Sequence, residues 1–95
     1  MAAPDFYLLA YDIASERRRA KIARLMESVG ARVQGSVFEA YLTPADLAAL
    51  LRRVHRVLKP QEDSLRVYYI CEACLPKART FGKGEVTSPP GLTII

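Results

Sequence analysis

The chain of 95 residues has no tryptophan, one histidine and two cysteines. The lone histidine, His55, has no acid or thiol at useful spacing, so a Ser-His-Asp or Cys-His nucleophilic set is absent. No H-E-x-x-H pair and no glycine-rich phosphate loop occurs either, which removes the commonest zinc-hydrolase and nucleotide-triphosphate readings. No apolar run approaches the roughly 18–20 residues that a membrane span needs. Acidic Asp5 and the Tyr11-Asp12 pair interrupt any signal-peptide pattern near the start. A soluble cytoplasmic protein with no membrane partner is expected.

The cysteines, Cys71 and Cys74, form a single C-x-x-C. A structural zinc site wants four ligands, usually two such pairs, and His55 lies far away in sequence. No helical pattern follows Cys74, as a thioredoxin-type pair would require. They read as two reduced thiols at the end of a strand.

What is present is apolar matter and arginine. Hydrophobic residues make up 51% of the chain, enough for one globular core and no second one. At this length only about 60% of the unfolded surface is buried on folding, so a lone protomer has modest stability. The net charge is +4, and ten of the fourteen basic residues are arginine. Arginine's planar fork suits phosphate, though surface ion pairing or a compositional bias gives the same count.

Residues 5–13, DFYLLAYDI, read as a central strand with both faces apolar. Phe6, Leu8, Ala10 and Asp12 share one face, and Tyr7, Leu9, Tyr11 and Ile13 the other. Ser15 then caps a helix running to about Val29 and stopped by Gly30, with Ile22, Leu25, Met26 and Val29 as its buried stripe. Three arginines, Arg17, Arg18 and Arg19, open this helix, where the dipole disfavours cations by a few tenths of a kcal/mol each, on the order of 0.3–1. Solvent, an acidic neighbour or a polyanion must compensate.

Residues 31–42, ARVQGSVFEAYL, are strand-like but change phase: Val33 and Val37 have one parity, Phe38, Ala40 and Leu42 the other. Either a bulge bends one strand near Gly35, or a tight turn makes a hairpin there. Thr43-Pro44-Ala45-Asp46 is a helix start, and Leu47, Leu50, Leu51, Val54 and Leu58 form the next apolar stripe. Residues 64–71, SLRVYYIC, are a further strand. Residues 77–84 offer one more short strand, and residues 92–95, ending in Thr93-Ile94-Ile95, a last β-prone segment.

This order predicts an α+β fold, a ferredoxin-like βαββαβ sandwich over residues 1–75 with two helices on one face. Residues 76–95 form an extension with an extra C-terminal strand. The open sheet face needs a cover. Apolar Tyr7, Leu9 and Tyr11, with a terminal segment lacking a partner in the domain, point to a homodimer whose tail packs on the other protomer.

Asp12 is the acid that position forces to lie beside apolar structure and basic residues at once. It either caps the next helix or, brought together with its mate across a two-fold axis, provides enough carboxylate for magnesium. Arg17, Arg18 and Arg19 then face phosphate at its rim, or are a solvated face. Arg52, Arg53 and Arg56 read as a solvated strip. Glu39 is an arginine partner or an acid behind the site. Tyr11, Tyr68 and Tyr69 are base-stacking or core residues.

The strand ending Tyr11-Asp12-Ile13, the arginine-rich helix ending ESVG, the run RVQGSVFEAYLT and the strand DSLRVYYIC resemble the small CRISPR-associated adaptation protein family, Cas-two, over residues 6–74. The resemblance implies a ferredoxin-like homodimer that exchanges its terminal strand and works in spacer acquisition with a CRISPR integrase partner. It further implies a metal-dependent endonuclease cutting single-stranded RNA or double-stranded DNA. The ion, Mg2+ or Mn2+, is then held by the aspartate closing the first strand, here Asp12. Tyr11, Arg17, Arg18, Arg19, Arg32, Ser36 and Phe38 fall where the family binds nucleic acid or shapes the site. The other roles it leaves open are a non-catalytic adaptor that holds DNA for the integrase, and a related toxin-like messenger-RNA nuclease.

Overall fold

A run of aromatic and branched residues builds the strand β1 (Asp5–Asp12), which pairs on both of its edges and so forms the middle of the sheet. In the computed structural model, which describes residues 3–89, it is followed by α1 (Glu16–Glu27), β2 (Gly30–Gln34), β3 (Val37–Leu42), α2 (Pro44–Val57) and β4 (Ser64–Ile70). The sheet order is β2-β3-β1-β4 with every neighbouring pair antiparallel. That is the ferredoxin-like split βαβ arrangement expected. Among the described residues no helix is long and apolar enough to cross a membrane.

The sheet's two faces differ from the expectation. Tyr7, Leu9, Tyr11 and Ile13 belong to the buried core, with Ile22 and Met26 of α1 and Leu50 and Val54 of α2. They therefore lie under the helices and not on the open face. The open face carries Leu8 and Ala10, both half-buried, and across from them Val37, Tyr68 and Arg66. Because β1 is apolar at both parities, its sequence does not say which parity the helices cover. Phe38, Leu9, Ile22 and Met26 are the largest fully buried side chains, each worth about 1.5–3 kcal/mol of transfer free energy.

The phase change has a double cause. Gly35 and Ser36 make a tight turn between β2 and β3, and the pairing also slips between Arg32 and Gln34. The extra residue, Val33, stays exposed at 46%. Hairpin and bulge are both present.

Both helices start as their sequences dictate. The Ser15 side chain accepts from the Arg18 backbone N–H at 3.3 Å, and that of Thr43 from Asp46 at 3.1 Å. The end of α1 was misplaced by the glycine signal: the helix stops at Glu27 with Ser28 as its cap, and Gly30 begins β2. Its role there is close approach, because a Cβ on Gly30 would collide with the Glu39 carbonyl oxygen and come within 2.9 Å of Ala40 Cβ. Leu51, expected in the stripe of α2, is exposed; Leu47 and Leu58 pack against the core.

No strand follows β4 among the described residues. A 3-10 turn, Leu75–Lys77, leads into irregular chain, so residues 77–84 do not form the short strand expected; Gly82 and Gly84 there have positive φ. The chain then returns to its own β3: the Thr87 backbone N–H and hydroxyl donate to Glu39 Oε1 at 2.9 and 2.7 Å, and the Tyr41 hydroxyl donates to the Thr87 carbonyl at 2.8 Å. Glu39 is thus neither an arginine partner nor an acid behind Asp12. The segment Thr93-Ile94-Ile95, on which strand exchange was expected to rest, lies outside the described residues.

Candidate nucleic-acid site at the end of the first strand

The alternation of β1 fixes where its last carboxylate goes. Tyr11 and Ile13 are buried at 6% and 4%, so their side chains pin the backbone on both sides of Asp12 and turn Asp12 to the open face. Asp12 is exposed and takes no ion pair among the described residues. It lines a recess of about 360 Å3 together with Tyr11, Ile13, Arg19, Gly35 and Ser36. The turn before β3 is tied to the strand end, since the Tyr11 N–H donates to the Ser36 carbonyl at 3.1 Å.

The three arginines that open α1 have three different fates. Arg19 reaches back over the β1–α1 connection and donates through Nε and Nη2 to the Ile13 carbonyl at 3.3 and 3.2 Å. That places its guanidinium at the recess with N–H groups still available to an anion. Arg17 is exposed in the first turn of α1. Arg18 turns away from the recess and grips Asp63: Nε to Oδ2 at 2.7 Å and Nη2 to Oδ1 at 3.2 Å, with Glu62 at 3.4 Å. An acidic neighbour compensates Arg18, and a carbonyl holds Arg19.

Asp63 is the residue that the sequence did not disclose. Its side chain is fully enclosed, and besides Arg18 it accepts the backbone N–H of Ala14 at 2.9 Å and of Lys59 at 2.9 Å. The Arg18 guanidinium, aided by those two N–H groups and opposed by burial, holds its carboxyl well below the usual carboxylate range, and Asp63 in turn raises Arg18. The bond to Ala14 fixes the loop two residues beyond Asp12. Only its place as the acid before β4 hinted at anything, and that reads as an ordinary turn.

Arg32 and Phe38 lie elsewhere. The Arg32 guanidinium caps the Phe38 ring at 5.1 Å and sits 3.9 Å from Glu27. Phe38 has no exposed surface and stacks on Tyr11, with ring centroids 6.2 Å apart. The structure therefore gathers Tyr11, Asp12, Arg19 and Ser36 into one recess, leaves Arg17 exposed, commits Arg18 to Asp63, and places Phe38 inside the core. Buried Tyr11 offers no ring face to a base. Tyr68 and Tyr69 are 48% and 56% exposed, but on opposite sides of β4, so they make no continuous stacking platform.

Among the described residues no group of three or more His, Cys, Asp or Glu side chains could hold a metal ion. Asp12 does fit a hard cation that keeps most of its own water, because its carboxylate is uncommitted and open to solvent. Cys71 and Cys74 are free and belong to a turn in which the Cys74 N–H donates to the Cys71 carbonyl at 3.0 Å. The neighbouring Cys74 thiol, with local backbone N–H groups, draws the Cys71 thiol below its ordinary range.

Comparison with known proteins places this recess in context. The family model described as CRISPR associated protein Cas2 matches residues 5–78. The chain is 40% identical over 89 residues to CRISPR-associated endoribonuclease Cas2 3 of Synechocystis, covering 94% of this chain and 97% of that protein. It is 50% identical over 62 residues to CRISPR-associated endonuclease Cas2 2 of Thermus thermophilus, covering 65% and 69%. Its fold matches a chain of the partial Cas6-RT-Cas1–Cas2 complex with a TM-score of 0.76 at 28% identity, covering 96% of this chain and 99% of that one.

Proposed function

Since the chain belongs to the Cas2 family of CRISPR-associated proteins, we propose that it is a dimeric, metal-dependent endonuclease of the spacer-acquisition stage, acting in the cytoplasm on RNA or duplex DNA. The observation that carries this reading is the uncommitted Asp12 carboxylate at the tip of β1, in a recess with Arg19 and Ser36. Asp12 shares its parity with Leu8 and Ala10 on the open face. A second copy seated on that face would bring the two Asp12 side chains toward one another.

The chain's own residues divide the work. Arg19, oriented by the Ile13 carbonyl, binds a phosphate, and Arg17 adds positive charge along the approach. Ser36 and the Tyr11 backbone shape the wall, while Arg32 and Phe38 support it through the stack onto Tyr11. Arg18 contributes indirectly through Asp63, by holding the loop after Asp12. Asp12 would hold Mg2+ or Mn2+, which when bound polarises a phosphoryl oxygen and lowers the pKa of a water.

The test pairs cleavage with binding. Asp12→Ala should abolish divalent-dependent cleavage and the upward shift of melting temperature by magnesium or manganese, while leaving its own melting temperature close to wild type. Equal cleavage and equal metal shifts in both proteins would remove Asp12 from the mechanism. A second reading, a non-catalytic adaptor holding DNA for an integrase partner, is favoured by the fold match to a chain in a complex containing Cas1. Homogeneous wild-type protein that never cuts RNA or duplex DNA with any divalent ion would leave that reading standing alone.

A further inference from the structure

Basic residues on the outer sides of the two helices converge in the folded chain. Lys21 and Arg24 of α1 and Arg53 and Arg56 of α2 line one groove of about 430 Å3 whose floor is Leu25 and Val57. All four cations are exposed, and none has an ion pair among the described residues. Among the described residues no acid lines the groove. Helix dipoles favour Arg24 and Arg56, which sit in the last turns of their helices. Lys21 and Arg53 have no such compensation, and like charges around one groove repel. The floor is the outer surface of the core, since Leu25 and Val57 pack against it and stay half-exposed.

We propose that the α1/α2 groove is a docking site for an acidic amphipathic helix of a partner protein. The combination of floor and rim decides the class of partner. A nucleic-acid backbone satisfies the cations but is a hydrated polar ridge that gains nothing from Leu25 and Val57. A helix with leucines at i, i+3, i+4 and i+7 between glutamates meets both, its apolar stripe on the floor and its carboxylates on the rim. The groove is separate from the Asp12 recess, so occupation of one leaves the other open.

The experiment uses the full chain and a fluorescent synthetic helix of that pattern, read by anisotropy at physiological salt. Saturable binding is expected, weakened at least about tenfold in Arg24→Glu/Arg53→Glu and restored to the double variant by the same helix with lysines for glutamates. Replacing the leucines by serine should cost a comparable factor, since the floor is part of the site. Both substituted arginines are exposed, and an unchanged melting curve verifies the fold. No saturable binding of the leucine helix overturns the proposal. So does binding that survives loss of the leucines, which is mere ion exchange. Duplex DNA that loses affinity in the double variant, with no helix binding to wild type, reassigns the groove to nucleic acid.

Discussion

Glu39→Ala tests whether the segment after the 3-10 turn is held to its own sheet by a single acid. Among the described residues three hydrogen bonds fasten Thr87, and two of them end on Glu39 Oε1, at 2.9 and 2.7 Å. A hydrogen bond to a charged acceptor contributes about 1.5–3 kcal/mol. Glu39 and Thr87 are only half-buried, so water competes for both bonds and each falls below that range to about 1 kcal/mol, roughly 2 kcal/mol for the two together. That corresponds to about 30-fold faster amide exchange at Thr87, measured where opening precedes exchange. Thr87→Val removes only the hydroxyl bond and should give about a fivefold change for about 1 kcal/mol. The melting temperature should move little in either variant, because neither contact supports the β1–β3 pairing or the helices. Limited trypsin digestion gives an orthogonal check, since Arg79 and Lys83 are exposed and cleavage there should quicken with Thr87 release. Unchanged exchange at Thr87 in Glu39→Ala would show that something else holds the segment. A melting temperature that falls in step with exchange would show that it is part of the cooperative core.

Other perturbations follow from the same contacts. Arg18 lowers the folded-state pKa of Asp63 below its unfolded value of about 3.9. Its stabilisation is therefore present above that value and lost as pH falls through the lowered folded-state pKa. Acid unfolding followed by circular dichroism should show this loss in wild type and a flatter acid limb in Asp63→Asn; parallel limbs would refute the assignment. Gly30→Ala drives a Cβ into the β3 backbone at Glu39 and Ala40, an overpacking expected to cost about 1–3 kcal/mol. Its melting temperature should fall by at least about 4 °C, and an unchanged value would mean that β2 shifts freely.

How much of this was legible before the fold was known depended on the range of the contact. Strand β1, both helix caps and the hairpin around Gly35 follow from local chemistry, and they appear where Ser15, Thr43-Pro44 and the parity change at Phe38 put them. The place of Asp12 at a strand end was equally local. What failed was long-range. Arg18 finds Asp63 across 45 positions and Glu39 finds Thr87 across 48, and no periodicity encodes such pairings. Gly30 misled because glycine serves both to end helices and to admit a neighbouring backbone, and here only the second use applies. The buried side of β1 went unread for a related reason: with apolar residues at both parities, the choice belongs to the helices that cover it.

The enclosure of Asp63 also bears on the order in which the molecule matures. Its partners Ala14 and Arg18 are translated some fifty residues ahead of it, and its nearer partner Lys59 lies just beyond the second helix. A nascent chain still on the ribosome and halted before that acid would already possess the opening strand and first helix. It would hold the connection between them only by the Arg19 bonds to the Ile13 carbonyl and the Ser15 cap. The loop behind the Asp12 recess would thus gain its buried Asp63 anchor only as β4 is added, so an incompletely synthesised chain would carry the carboxylate beside a less firmly held loop.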